Sequence, residues 1–151
     1  IHFRAGKALR SLDLTTDTHP GFMTDWQQPT VALLTQAQGV SHIHETIYED
    51  RFGYTADLVR MGADIAVTDQ CPDSGCRFAG GGAKHFATIT GPHPLRANTL
   101  HIPDIRAGMA HIIAALIAQG TSTVEGIEHL DRGYVQLEER LRQLGAEIAR
   151  V

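Results

Sequence analysis

Read for hydrophobic period alone, the chain falls into two stretches built on one plan. From Gln28 to Gln38 apolar residues recur at helical spacing and stop at Gly39; Arg106 to Gln119 repeats the pattern and stops at Gly120. Each is followed by apolar and β-branched residues alternating with polar ones, Val40 to Ile47 and Thr121 to Ile127, which predicts strands. Shorter helices are expected near Tyr54 to Met61 and Tyr134 to Leu144. In the second, Leu137, Leu141 and Leu144 form a stripe that faces a sheet. Gly62 and Gly145 end these helices, and strands are expected at Asp64 to Thr68 and Glu147 to Val151. Lys84 to Thr90 alternates as a further strand, as does Ala97 to His101, and positions 69–82 read as an exposed loop.

The two stretches are an internal repeat. Gly39 and Arg51 are twelve residues apart, as are Gly120 and Arg132, and Asp25 and Asp104 open the copies about 80 residues apart. Asp50-Arg51 matches Asp131-Arg132, and Met61-Gly62-Ala63 matches Leu144-Gly145-Ala146. The expected architecture is a repeated α/β unit, with copies at 24–90 and 103–151. Met109 to Ala118 is apolar on nearly every side, so that helix is expected inside a layer, with helices central and sheets as the wall.

Composition narrows the classes. The chain has 151 residues, 42% of them hydrophobic, enough for a core, and ordinary glycine and proline usage excludes collagen and wholesale disorder. No apolar run approaches a membrane span, and no basic, apolar leader is read. The net charge is −4 and the only lysines are Lys7 and Lys84, which argues against a nucleic-acid partner. Two cysteines make no disulfide framework, so a reducing cytoplasm is the simplest compartment. The chain starts at Ile1 and is periodic early, so it is expected to be part of a longer polypeptide.

Charged residues at repeated loop positions carry the candidate chemistry. Asp25 and Asp104 precede the first helix of each copy, where Asp serves as an N-cap or, if unpaired, as an acid, base or hydroxyl ligand. Arg51 and Arg132 each follow an Asp and precede an aromatic, Phe52 and Tyr134. They read either as internal Asp-Arg pairs or as clamps for phosphate or carboxylate. Arg106, near a helix N-terminus, suits an anion too and is expected to converge with Arg132.

Metal readings are incomplete. His42, His44 and Glu49 lack a cupin's glycine and proline set, and Cys71, Cys76 and His85 lack a second cysteine pair. No metal is expected. The run Gly80-Gly81-Gly82 lacks the strand and helix of a phosphate-binding fingerprint and reads as loop.

The strings PGFMTDWQQP, HETIYEDRFGY, MGADI and LDRGYVQLEERLRQLGAEI resemble the C-terminal part of the UDP-N-acetylglucosamine 1-carboxyvinyltransferases, also called enolpyruvyl transferases. The resemblance covers nearly the whole chain and is weakest over 1–10 and 69–82. It implies an inside-out α/β barrel, of which this chain holds about two of the repeated units of one domain. By the same resemblance the opposite lobe and its mobile loop are expected to lie outside this chain. It implies a cytoplasmic enzyme that transfers the enolpyruvyl group of phosphoenolpyruvate to the 3-hydroxyl of UDP-N-acetylglucosamine, releasing phosphate, in peptidoglycan synthesis. No organic cofactor and no metal are implied. The partners are the two small-molecule substrates and the remainder of the same enzyme. A shikimate 3-phosphate transferase, an RNA 3′-terminal phosphate cyclase and a noncatalytic module on the same fold are the alternatives.

By the same resemblance, Asp25 matches an aspartate near the sugar hydroxyl that handles protons. Ile47 and Tyr48 match residues beside the uridine, and Arg51 an arginine ordering that side of the cleft. Asp104 and Arg106 match a charged pair at the interdomain site, and Arg132 an arginine that grips phosphoenolpyruvate. Neither Cys71 nor Cys76 matches the mobile-loop residue, and the amino-terminal lysine and asparagine of the pocket have no counterpart. The isolated chain is therefore expected to be inactive.

Overall fold

The computed structural model describes residues 8–71 and 75–151. A four-stranded sheet, in the order β1-β2-β4-β3, is made by β1 (Asp13–Thr15), β2 (Gly39–His44), β3 (Asp64–Thr68) and β4 (Phe86–Gly91). β1 runs parallel to β2, and β4 pairs antiparallel with both β2 and β3. A second sheet joins β5 (Thr99–His101) and β6 (Thr123–Glu125) in parallel. The helices are α1 (Gln27–Leu34), α2 (Thr55–Arg60), α3 (Ile105–Ile117), α4 (Glu128–Asp131) and α5 (Leu137–Gln143).

Period-2 alternation decides which face of the larger sheet is buried. Ser41 and Ile43 of β2 pair with Ile89 and Ala87 of β4, and all four are buried. They join a core with Val31 and Leu34 of α1, Leu58 of α2, and Ala107, Ala110 and Ala114 of α3. α1 packs on α3, and α2 packs on β3 and α3. The small residues on α3 leave room for that approach. Helices thus form the centre and the sheet a wall, as the repeat predicts. α3 itself is less enclosed than its composition suggests: Leu116 and Ile117 at its C-terminal end are each 43% exposed. No described helix is long and apolar enough to cross a membrane.

Between α3 and α2, His111 lies fully buried with Nε2 3.0 Å from Asp57 Oδ2. Burial holds the imidazole below its ordinary value, although the Asp57 carboxyl pulls the other way.

Gly91 closes β4 where the sheet meets the end of α1. A Cβ there would lie 2.5 Å from the Ala37 carbonyl oxygen and 2.7 Å from that of Thr35. Both are backbone atoms and cannot swing aside. Gly91→Ala is expected to destabilise the protein by about 1–3 kcal/mol, read from the denaturant midpoint of unfolding. An unchanged midpoint would show that the helix and sheet separate freely here.

Several expected elements change on folding. β3 occupies the predicted Asp64 to Thr68, but α1 stops at Leu34 and a turn carries the chain to Gly39, which has φ +108°. The helix expected over Tyr134 to Leu144 is shortened to α5, which starts after Gln136 in the left-handed region, and the separate short α4 lies before the expected span. The strand expected at Glu147 to Val151 does not form. No described strand lies beside that segment to share a ladder. Arg150 instead ties it to both oxygens of Asp131, at 2.7 and 3.0 Å, and Ile148 accepts from Arg142 Nε at 2.9 Å. The second copy therefore lacks the last strand of the first. Of the 69–82 loop, the residues described are turn and irregular structure.

Candidate functional site

The site residues fall into two groups, each beside the start of one of the packed helices α1 and α3. In the first, Asp25 sits in a single 3-10 turn, Thr24–Trp26, that leads into α1. It is not an N-cap: Met23 and Trp26 occupy the flanking cap positions, and neither makes a side-chain cap. Its carboxylate is instead held by Arg51, whose Nη2 donates to Oδ1 at 2.8 Å. The Asp25 side chain is 61% exposed while that of Arg51 is 8% exposed. The arginine is therefore the fixed member and the carboxylate the presented one.

Two contacts fix Arg51 from the protein side. Its guanidinium lies 4.7 Å from the centre of the Tyr48 ring. The Gln28 amide, turned so that both its ends are satisfied, accepts from Arg51 Nε at 2.9 Å and donates to the Thr24 carbonyl at 3.2 Å. The neighbouring Asp50 takes no part: it accepts from the Lys84 backbone N–H at 2.8 Å. The sequence-neighbour pairing expected for Arg51 is thus replaced by a pair across 26 residues.

Glu45 is the residue that sequence reasoning passed over. It is fully buried at the end of β2. Oε1 accepts from Thr16 Oγ1 at 2.9 Å and from the backbone N–H groups of Ile47 and Tyr48 at 2.8 and 3.1 Å. Oε2 accepts from Thr24 Oγ1 at 2.8 Å. One carboxyl group therefore fixes the turn that presents Ile47 and Tyr48 to the residue preceding Asp25. The sequence signal was slight, a Glu between Ile43 and Ile47 beside Thr46; Thr16 and Thr24 meet it only in the fold. Ile47 itself lines an open cleft of about 770 Å³, with Asp17, His42, Thr46, Arg77 and Phe86.

The second group gathers at the start of α3. Asp104 is the N-cap, its Oδ1 accepting from the N–H of Arg106 at 2.7 Å and of Ala107 at 3.1 Å. Partial burial opposes its ionisation, but the Ala107 and Arg106 backbone donors and the Arg106 side chain outweigh it and hold the carboxyl below the usual value. Arg106 Nε lies 3.3 Å from the same oxygen. Arg132 follows α4, exposed, with no side-chain hydrogen bond or ion pair among the described residues. Its expected neighbour pairing with Asp131 is absent because Arg150 takes that carboxylate. Gly133 brings it close to α3: a Cβ on Gly133 would lie 2.5 Å from Ile105 Cδ1, and Ile105 stands between Asp104 and Arg106. The residue after Arg132 therefore packs against the side chain that stands between Asp104 and Arg106 in sequence.

The histidines and cysteines regroup. His42 turns to Asp13, 2.8 Å away, and Glu49 is exposed, so the His42, His44 and Glu49 set does not assemble. His44 instead joins Cys71, Cys76 and His85, with one ligand atom of each within 4.8 Å of the others. No disulfide joins the cysteines.

Comparison with known proteins agrees with the fold. The family model for EPSP synthase (3-phosphoshikimate 1-carboxyvinyltransferase) matches residues 1–141. A UDP-N-acetylglucosamine 1-carboxyvinyltransferase of Protochlamydia amoebophila is 51% identical over 150 residues, 99% of this chain and 32% of that protein. One from Chlamydia trachomatis is 50% identical over 137 residues, 89% of this chain and 31% of that protein. Among solved structures, the enolpyruvyl transferase NikO from Streptomyces tendae superposes with a TM-score of 0.80 at 30% identity, over 97% of this chain and 30% of that one. EPSP synthase from Acinetobacter baumannii shares the fold at a TM-score of 0.57 and 20% identity, over 85% of this chain and 30% of that one. The chain spans about a third of the length of these relatives.

Proposed function

The chain belongs to the EPSP synthase family, and from that premise we propose that it forms part of one lobe of an enzyme transferring the enolpyruvyl group of phosphoenolpyruvate to UDP-N-acetylglucosamine. This is the sugar-nucleotide reaction named for the relatives that are about half identical to it. The cytoplasm and peptidoglycan synthesis follow from the same reading. The repeated units at 24–90 and 103–151 are then parts of one domain, and the remainder of the polypeptide supplies the facing half of the cleft.

The observation that carries the reading is the exposed Asp25 carboxylate held by a buried Arg51 beneath Tyr48. A base that must meet a sugar hydroxyl needs to be presented and fixed at once. In the addition step, the Asp25 carboxylate takes the proton of the 3-hydroxyl as its oxygen bonds to C2 of phosphoenolpyruvate. The methylene carbon gains a proton from an acid supplied elsewhere in the cleft. A base in the cleft then takes a proton from the new methyl group as the C2–O bond to phosphate breaks, which restores the double bond and frees inorganic phosphate.

Ile47 and Tyr48 flank the uridine in this reading, and Arg51 orders them while orienting Asp25. Arg132, with no side-chain partner among the described residues, grips a carboxylate or phosphate oxygen of phosphoenolpyruvate, and Asp104 and Arg106 shape the same margin. Arginine donors set at the start of a helix suit an anion that would otherwise repel a second anionic substrate.

The complete polypeptide carrying this chain is expected to release phosphate only when phosphoenolpyruvate and UDP-N-acetylglucosamine are both present. Release with shikimate 3-phosphate in place of the sugar nucleotide would move the assignment to the sister reaction. A folded, complete protein releasing phosphate with neither acceptor would overturn the transferase reading.

A further inference from the structure

We propose that His44, Cys71, Cys76 and His85 bind one zinc ion in a closed Cys2His2 site that fastens the connection between β3 and β4 to the end of β2. Nothing in the transferase chemistry uses these four side chains. They arise from three separate places: His44 from the last position of β2, the cysteines from the loop after β3, and His85 from the residue before β4.

The spacing fits the ion. With Zn–S near 2.3 Å and Zn–N near 2.0–2.1 Å, the corners of a tetrahedron lie roughly 3.3–3.8 Å apart. His44 Nε2 lies 3.2 Å from Cys76 Sγ and 3.3 Å from Cys71 Sγ. One ring nitrogen facing two sulfurs has a single proton to share between them. A cation in the middle satisfies all three atoms at once.

His85 supplies the independent observation. It is fully buried, and its Nε2 has no hydrogen-bond partner among the described residues. Its Nδ1 lies 2.6 Å from the Ala83 carbonyl oxygen, which can only accept, so Nδ1 carries the proton and Nε2 offers a bare lone pair. A carbonyl holding one nitrogen while the other faces a cluster of donors is how ligating histidines are oriented. An orphaned buried nitrogen otherwise costs stability.

The donor chemistry selects the metal. Two thiolates and two imidazoles suit zinc and are poor ligands for magnesium or calcium. The thiolate charges cancel that of the dication, which permits a partly buried site. Phe78 and Phe86 shield it, their rings 5.6 Å from His85 and 6.1 Å from His44. Four protein ligands leave no open position for water, so the role is structural rather than catalytic.

The test uses the complete polypeptide, purified under reducing conditions, stripped with a chelator and dialysed against zinc. Elemental analysis is expected to find one zinc per chain, and thiol titration two cysteines protected until a chelator is added. Cobalt(II) in place of zinc is expected to give thiolate-to-cobalt charge transfer and the visible bands of a tetrahedral ion. The doubly substituted C71S/C76S protein is expected to lose the ion, His85→Ala to weaken it by more than the roughly 10–100-fold that loss of an outer-shell partner costs, and His42→Ala to retain it. Zinc retained by C71S/C76S, or a reduced wild-type protein with reactive thiols and no cobalt–thiolate band, would overturn the site. The second result needs no variant to fold. Neither depends on transferase activity.

Discussion

Asp25→Asn is expected to lower kcat of the complete enzyme by about 10²–10⁴-fold while leaving the affinity for UDP-N-acetylglucosamine within a few-fold. The amide is nearly the same shape, and its oxygen can still accept from Arg51 Nη2, which donates to Asp25 Oδ1 at 2.8 Å. What it loses is the capacity to take a proton. With its side chain 61% exposed, Asp25 contributes little to folding, and its ion pair stabilises by about 0–1 kcal/mol at most. The melting temperature should therefore stay near that of wild type. That separates the proton-acceptor role from a purely structural one: were Asp25 only a partner for Arg51, the neutral amide would keep most of the turnover. A kcat within tenfold of wild type would remove Asp25 from the proton transfer. Measuring kcat and KM separately matters, because loss of an interaction made only in the transition state lowers kcat and leaves KM nearly fixed.

How far the sequence reaches differs between elements. β3 lies where its alternation predicts, since a strand with one buried face carries its register in its own residues. The segment 147–151 alternates equally well yet forms no strand, because a ladder needs a neighbour and the arginine at 150 finds Asp131 instead. Local pairing failed in the same way at both repeated Asp-Arg steps. Arg51 and Asp131 are each charge-paired, but with Asp25 and Arg150 rather than with their own chain neighbours Asp50 and Arg132. Capping was legible for Asp104, which serves helix α3 directly behind it, and misleading for Asp25, where a 3-10 turn intervenes. The metal-like residues were all visible. Their grouping was not, because His44 belongs with residues 27 to 41 positions further along the chain.

Glu45→Ala is expected to be the most destabilising single change at the site, at about 3–5 kcal/mol, and to raise KM for the sugar nucleotide in whatever protein still folds. The truncation strips the Thr16 and Thr24 hydroxyls and the Ile47 and Tyr48 N–H groups of their acceptor in a region with no exposed surface at Glu45. The loss also travels. The Thr46 N–H donates to Thr16 Oγ1 at 2.8 Å, so the turn beyond β2 hangs on the same hydroxyl that Glu45 orients. Tyr48, freed from that turn, no longer covers Arg51, and Arg51 no longer holds Asp25. Glu45→Gln separates the contributions. Its oxygen can keep the three donors now on Oε1, and its amino group can donate to Thr24, whose hydroxyl turns to accept. That variant should cost only about 1 kcal/mol and leave KM close to wild type. Denaturant unfolding and steady-state kinetics on the two variants decide the matter: equal stability of wild type and Glu45→Ala would mean the buried carboxyl organises nothing. An unstable Glu45→Ala with an unchanged KM would confine Glu45 to folding and break its link to the substrate-facing turn.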